Sequence, residues 1–317
     1  HWTITDRIHI GGAGGWDYVT VQPEAHRIFL SHAAQVVVVD LKSKKIIDSI
    51  AASGVHGIAL ARDLNRGFIS NGAGGNVTIF DLGTLKVLGT VKTGQNPDAI
   101  CYEPVTQKVF AFNGRSSSAT VIDAVKGEAL GDIPLEGKPE FAQPDGQGFV
   151  YVNLEDKSKT LRIDAKKMTV TDRWDLPGGS EPSAMAIDTA NKRLFIGCGN
   201  KQLVVKDYPS GKTVATEPIG EDVDAAIYDP VGKRVFVSCS DGTMTVIHQD
   251  SADTYTVQEV VPTEQRDHTM GFDPTTATAY VPTAKFGPAP APTPDHPKPR
   301  PSIVPDSFEL LVITSNQ

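Results

Sequence analysis

The chain has 317 residues, 21% charged and 39% hydrophobic, with a formal net charge of −8 and a sequence pI near 5.5. No apolar run approaches the roughly 18 residues that a membrane-spanning helix needs, and the acidic balance disfavours binding to phosphate backbones, which relies on clustered Lys and Arg. Cations or neutral small molecules suit such a chain better, so nucleic acid is an unlikely partner on charge alone.

His1-Trp2 opens the sequence without a Met, which suggests a mature or trimmed form of an exported protein. From there one unit recurs: an apolar strand, a turn rich in Gly, Asn, Asp and Pro, a second apolar strand, and a third strand ending in Asp. The third strands end at Asp40, Asp81, Asp123, Asp164 and Asp207, with separations of 41, 42, 41 and 43 residues. That period matches a four-stranded propeller blade and exceeds most solenoid repeats. In chain order the first strands lie in WDYVTVQP, HGIALAR, PDAICYEP, PEFAQPDG, PSAMAIDT, VDAAIYDP and HTMGFDP, seven copies in all. Second strands such as RIFLS, KVFAFN, FVYVN and RVFVS follow them. The predicted fold is an all-β, seven-bladed β-propeller of four-stranded blades, one domain over residues 1–317.

The ends of the chain predict how the ring closes. The last unit supplies strands only around Thr269 to Phe272, Ala279 to Pro282 and Phe308 to Ile313, whereas Thr3 to Ile10 precede the first unit. The N-terminal strand is therefore expected to complete the last blade and remove exposed sheet edges. Between Lys285 and Pro305 the run FGPAPAPTPDHPKPRPSIVP is too rich in Pro for a sheet interior. It reads as a loop on the face where the first strands begin, placed to form part of a lid.

In a propeller the first strand of each blade lines the axis, so equivalent positions at those strand starts form a ring. Alignment gives Asp17, His56, Asp98, Glu140, Ser183, Asp224 and His268, spaced by 39, 42, 42, 43, 41 and 44 residues. Carboxylates facing one channel must take up protons, stay hydrated or attract a cation. Ring closure puts His268, Asp17 and His56 in succession with Asp98 next, a ligand set suited to Zn, Mn, Fe or Cu more than to Ca or Mg. A divalent metal on His56, His268 and Asp17 is the expectation; a wet channel whose polar lining only solvates strand ends, or a metal-free acid/base site, would use the same residues.

Loops between second and third strands should surround this ring with His32, Asn71, Asn113, Arg115, Asn153, Glu155, Lys157, Cys198, Cys239 and Lys285. Arg115 and Lys157 stand out, because cations beside an acidic ring can orient an anionic substrate; Asn153, Glu155 and Asp224 complete the expected ligand-binding set. Cys101, Cys198 and Cys239 follow no CxxC spacing and read as packed thiols. His1 could chelate copper through its amine and imidazole, and His9, His26 and His248 have no evident partners. GxSxG, P-loop, HExxH and dinucleotide-binding glycine patterns are all absent, which leaves no support for a nucleotide or flavin cofactor.

The blade spacing, FVYVN at Phe149 to Asn153 and the turn-Gly-x-x-Ala-x-x-x-Asp-Pro cadence together resemble the YVTN/YncE-like family of seven-bladed propellers, over essentially the whole chain. Other blades read FISN, FAFN, FVSC and YVPT at the same place. The resemblance implies an exported or periplasmic bacterial protein, in a family with one DNA-binding branch that the acidic charge here does not favour. Function must come from the site. The reading is a secreted or periplasmic propeller that binds a small-molecule ligand through a metal. Its alternatives are a metal-dependent lyase or hydrolase with Glu140 or Asp98 handling the proton, and a scaffold presenting its rim to a protein partner.

Overall fold

The computed structural model describes residues 1–267 and 269–316. Seven four-stranded antiparallel sheets follow one another around a ring, and the described residues contain no α-helix. The inner strands of blades 1 to 7 are Trp16–Gln22, Val55–Ala61, Pro97–Glu103, Pro139–Pro144, Pro182–Asp188, Val223–Asp229 and Gly271–Asp273. The expected closure is present: Trp2–His9 pairs antiparallel with Glu309–Ser315 and forms the outer edge of blade 7.

The sequence repeat has two physical sources. The first is turn chemistry. The Asp ending the third strand of blades 1 to 4 accepts backbone N–H groups of the next turn: Asp40 from Ser43, Asp81 from Gly83 and Thr84 at 2.8 and 2.7 Å, Asp123 from Val125 and Lys126, and Asp164 from Lys166 and Lys167. Acids ending inner strands do the same, with Glu103 accepting from Val105 and Thr106 and Asp188 from Ala190 and Asn191. These side chains supply the acceptors that a short turn lacks.

The second source is packing between blades. Seven apolar clusters fill the seven interfaces of the ring, one formed by blades 3 and 4 around Phe110, Phe112, Val150 and Leu161 and another by blades 7 and 1 around Trp16, Leu30, Phe308 and Leu310. The third residue of every second strand is aromatic and buried: Phe29, Phe68, Phe110, Tyr151, Phe195, Phe236 and Tyr280. Basic residues opening second strands then reach the next blade's backbone, Arg27 to the Leu82 carbonyl at 2.6 Å, Arg66 to that of Ala124 at 3.0 Å and Lys108 to that of Ala165 at 2.8 Å. These contacts tie blades 1 to 4 to one another in sequence, so that equal sequence phase becomes equal level around the axis.

The Pro-rich insert is anchored at its base. A bridge between Phe286 and Ile303 closes its base, where Gly287 N–H donates to the Ser302 carbonyl and Val304 N–H to that of Lys285. Phe286 packs at 6.2 Å from Trp16 and beneath the Arg266 guanidinium at 5.5 Å. Residues 288–298 are all exposed, and among the described residues none of the insert lines a cavity on this face. Proline has no N–H to offer a neighbouring strand, so the arm stands off the ring.

Candidate functional site

Each aligned ring position among the described residues is the second residue of its inner strand. There the pairing with the second strand slips, between Trp16 and Val19, Val55 and Ile58, Pro97 and Ile100, Glu140 and Ala142, Pro182 and Ala184, and Val223 and Ala225. The slip is a bulge, which re-aims a side chain at the sheet edge. Ser31 Oγ accepts the Tyr18 N–H at 2.7 Å and Ser70 Oγ accepts the Gly57 N–H at 2.8 Å, occupying donors next to Asp17 and His56. Ser70 also donates to the Asp98 carbonyl, tying blade 2 to blade 3 at the ring.

Asp17, Asp98, Glu140, Ser183 and Asp224 line a single axial cavity of about 470 Å³. Tyr18 and Phe141 close its floor. Their rings stack across the axis from blades 1 and 4, with centroids 5.5 Å apart and planes 7° apart. The same two residues line a larger cavity of about 1290 Å³ toward the other ends of the inner strands, bordered by Asp63, Pro104 and Asp145. This aromatic pair therefore stands where the two cavities meet. Phe141 is the bulged residue of blade 4 and takes a left-handed backbone with φ of 62°, a strained choice for a bulky side chain.

His56 stands between two acids. Its Nδ1 lies 2.8 Å from Asp17 Oδ2 and 3.7 Å from Asp98 Oδ1. The three side chains remain 28–33% exposed, and one potential ligand atom from each lies within 4.8 Å of the others. Glycine makes room for the imidazole: a Cβ on Gly72 would sit 2.5 Å from His56 Nε2, and one on Gly57 would sit 2.7 Å from the Asp98 carbonyl oxygen.

Crowded charge shifts these groups in the directions expected from burial and repulsion. The hydrogen bond to Asp17 raises the His56 pKa against the opposing effect of burial, with further help from Asp98. Burial, then repulsion from Asp17, pushes Asp98 up to about 6, with His56 pulling the other way. Burial, then Asp98 and Glu155, lifts Glu140 to about 8 despite the cation of Lys138. Burial and four ring carboxylates hold the Tyr18 phenol well above its ordinary range. Glu140 thus holds its proton to a higher pH than an ordinary carboxyl does.

The other expected residues divide plainly. Asp98, assigned a proton-handling role from sequence, sits among the potential metal ligands with Asp17 and His56, while His268 lies outside the described residues. Ser183 donates to the Val223 carbonyl at 3.0 Å and works as a strut. Asp224 Oδ2 accepts the Thr269 N–H. Asn153 is fully buried, donating to the Ala184 carbonyl at 3.1 Å and accepting from Thr160 at 3.0 Å; it ties blade 4 to blade 5 rather than facing the mouth. Asn71 and Asn113 likewise turn inward to Thr78 and Thr120. Glu155 does line the mouth. Lys157 is exposed and lines no cavity on this face. The cation that meets the acids is Lys138, 3.4 Å from Glu140 and 3.6 Å from Glu155; its place just before an inner strand was the available signal. Arg115 lines a neighbouring groove together with Asp17 and His56.

Cys101, Cys198 and Cys239 are free and buried, and burial pushes the thiols of Cys198 and Cys239 up to about 12, as packed, inert cysteines should be. His32 is buried against Phe308. The remaining histidines have surface roles: His248 pairs with Asp250 at 2.7 Å, His9 with Asp306 at 3.6 Å and His1 with Glu259 at 3.4 Å, and His26 closes a turn in a left-handed conformation.

No family model matches the chain, and no curated protein matches it in sequence. Solved structures do match in fold. A chain of hydrazine synthase from Kuenenia stuttgartiensis superposes with a TM-score of 0.71 at 16% identity, over 85% of this chain and 92% of that one. A chain of the mitotic checkpoint complex gives 0.79 at 14% identity, over 99% and 92%. U3-55K gives 0.78 at 8%, over 96% and 97%. At such identities the likeness shows the β-propeller fold alone.

Proposed function

We propose that the mouth of this propeller binds a divalent metal on Asp17, His56 and Asp98, and through it a small ligand. The observation that carries this reading is the convergence of one imidazole nitrogen and two carboxylate oxygens within 4.8 Å, from three adjacent blades. Mixed nitrogen and oxygen donors suit Zn, Mn or Fe better than Ca or Mg. The metal would replace the proton that Nδ1 shares with Asp17 and would neutralise the repulsion between Asp17 and Asp98. The axial cavity favours such an occupant: among the described residues seven Asp and Glu side chains line it and no Lys or Arg does.

Untagged protein stripped of metal and titrated with Zn²⁺ and Mn²⁺ in a calorimeter tests the reading. One metal per chain, lost in His56→Ala and weakened in Asp98→Asn, is the expected result; no uptake of either ion by the unsubstituted chain would end it. Glu140 favours a second reading. Glu140 lines the same cavity as Asp17 and Asp98, and burial, the largest influence on it, raises its pKa, which equips it to donate a proton, as a metal-dependent lyase or hydrolase requires; turnover of a substrate panel by metal-loaded protein, abolished in Glu140→Gln, would establish it. Membership of the YVTN/YncE-like family and an exported, periplasmic location rest on the FVYVN segment and the blade cadence, and fractionation of the producing cells tests the location.

A further inference from the structure

The mouth face holds a second cavity whose charge is opposite in kind to that of the axial one. It measures about 800 Å³, within the range typical of small-molecule sites. Asp17 and His56 form one side; Lys92 and Arg115 are the other charged residues in its lining. Both cations are exposed, and among the described residues neither side chain makes a hydrogen bond or ion pair.

Trp16 and Asp17 line both cavities, and His56, in the lining of the groove, reaches the two acids from that side. Its Nδ1 edge meets Asp17 and Asp98, and its Nε2 edge lies over Gly72, which lines the basic groove. An anion approaching from the axis meets a lining rich in Asp and Glu. From the groove it meets Lys92, Arg115 and the imidazole, and a bound divalent ion would offset Asp17 and Asp98.

From this juxtaposition we infer that the groove seats a small metal-chelating oxyanion, one end directed to the metal and the other held by Lys92 and Arg115. The inference rests on the proposed metal site and names the ligand class for it. Arg115 suits the role because a guanidinium presents paired N–H donors to carboxylate or phosphate oxygens. The shared chemistry covers both small carboxylates and phosphates.

Calorimetry on the full chain tests it in two stages. Mn²⁺ alone is first titrated into wild type and into a Lys92→Ala/Arg115→Ala variant; undiminished binding is expected, because neither residue is among the three metal ligands and loss of two nearby cations does not weaken a divalent cation's binding. Oxalate and inorganic phosphate are then titrated into both Mn²⁺-loaded proteins. The affinity for the preferred oxyanion should fall about tenfold or more in the double variant and recover in part with Arg115→Lys, and the tighter of the two probes assigns the class. Equal affinity in wild type and double variant, or no oxyanion binding to loaded wild type, overturns the inference. Should Mn²⁺ fail to bind wild type, the metal reading falls by itself, and the groove is judged on metal-free protein: oxyanion binding that the double variant loses supports the groove cations, and no binding overturns them.

Discussion

Two halves of one ring occupy the same structural phase and differ in what their side chains have left to offer. In blades 1 to 3, Asp17, His56 and Asp98 turn their polar atoms on one another. In blades 4 to 6, Glu140 meets Lys138, Ser183 bonds to the Val223 backbone and Asp224 accepts from the Thr269 N–H. A propeller repeats backbone geometry seven times, yet a site needs several donors facing a common point. Among the described residues the first half brings such donors together, and a metal there would offset the repulsion between Asp17 and Asp98.

The comparison breaks most directly at His56. His56→Ala removes the central donor and should lower Zn²⁺ or Mn²⁺ affinity about 100-fold or more, read by calorimetry, while the circular dichroism melt stays cooperative because no interblade cluster includes it. Gly72→Ala should come next. Its added methyl would sit 2.5 Å from Nε2, so the imidazole must shift, and metal affinity should fall about tenfold with the far-ultraviolet spectrum unchanged.

The second half sharpens the contrast through pH. Glu140 has a folded pKa of about 8, above its ordinary value near 4.3, so the folded state holds the extra proton between those values. Stability must therefore fall as pH rises through that window. Glu140→Gln should remove this loss and stabilise the protein at pH 9 by on the order of 2 kcal/mol, allowing for screening at a partly exposed site; chemical denaturation at pH 5 and pH 9 reads it. The smallest effect belongs to Asp224→Asn, for which metal affinity should change by less than about threefold. A loss as large as that of His56→Ala would erase the distinction between the halves.

The fold was legible because its repeat is written in turn-closing acids such as Asp81 and Asp123 and in one buried aromatic per second strand, local features that survive without knowledge of contacts. Ring membership was legible for the same reason, since phase sets height. What phase does not encode is where a side chain finds its partner. Asn153 occupies the expected loop end yet turns into the blade interface, and Lys157 yields to Lys138 because the acids of blade 4 face the start of the inner strand. The Tyr18–Phe141 pair was invisible for a further reason: Phe141 owes its direction to a bulge in the pairing register, and hydrophobic alternation carries no mark of such a slip. Lys92, at the end of an outer strand, joins the basic groove only through the neighbouring blades.

Anomalous diffraction from Mn²⁺-loaded crystals tests the central claim most directly. The account predicts one peak at the mouth, roughly 2.0–2.2 Å from a nitrogen of His56 and from oxygens of Asp17 and Asp98. A fully loaded crystal with no peak there, or with its peak among Glu140, Ser183 and Asp224 while His56 keeps its hydrogen bond to Asp17, would contradict it.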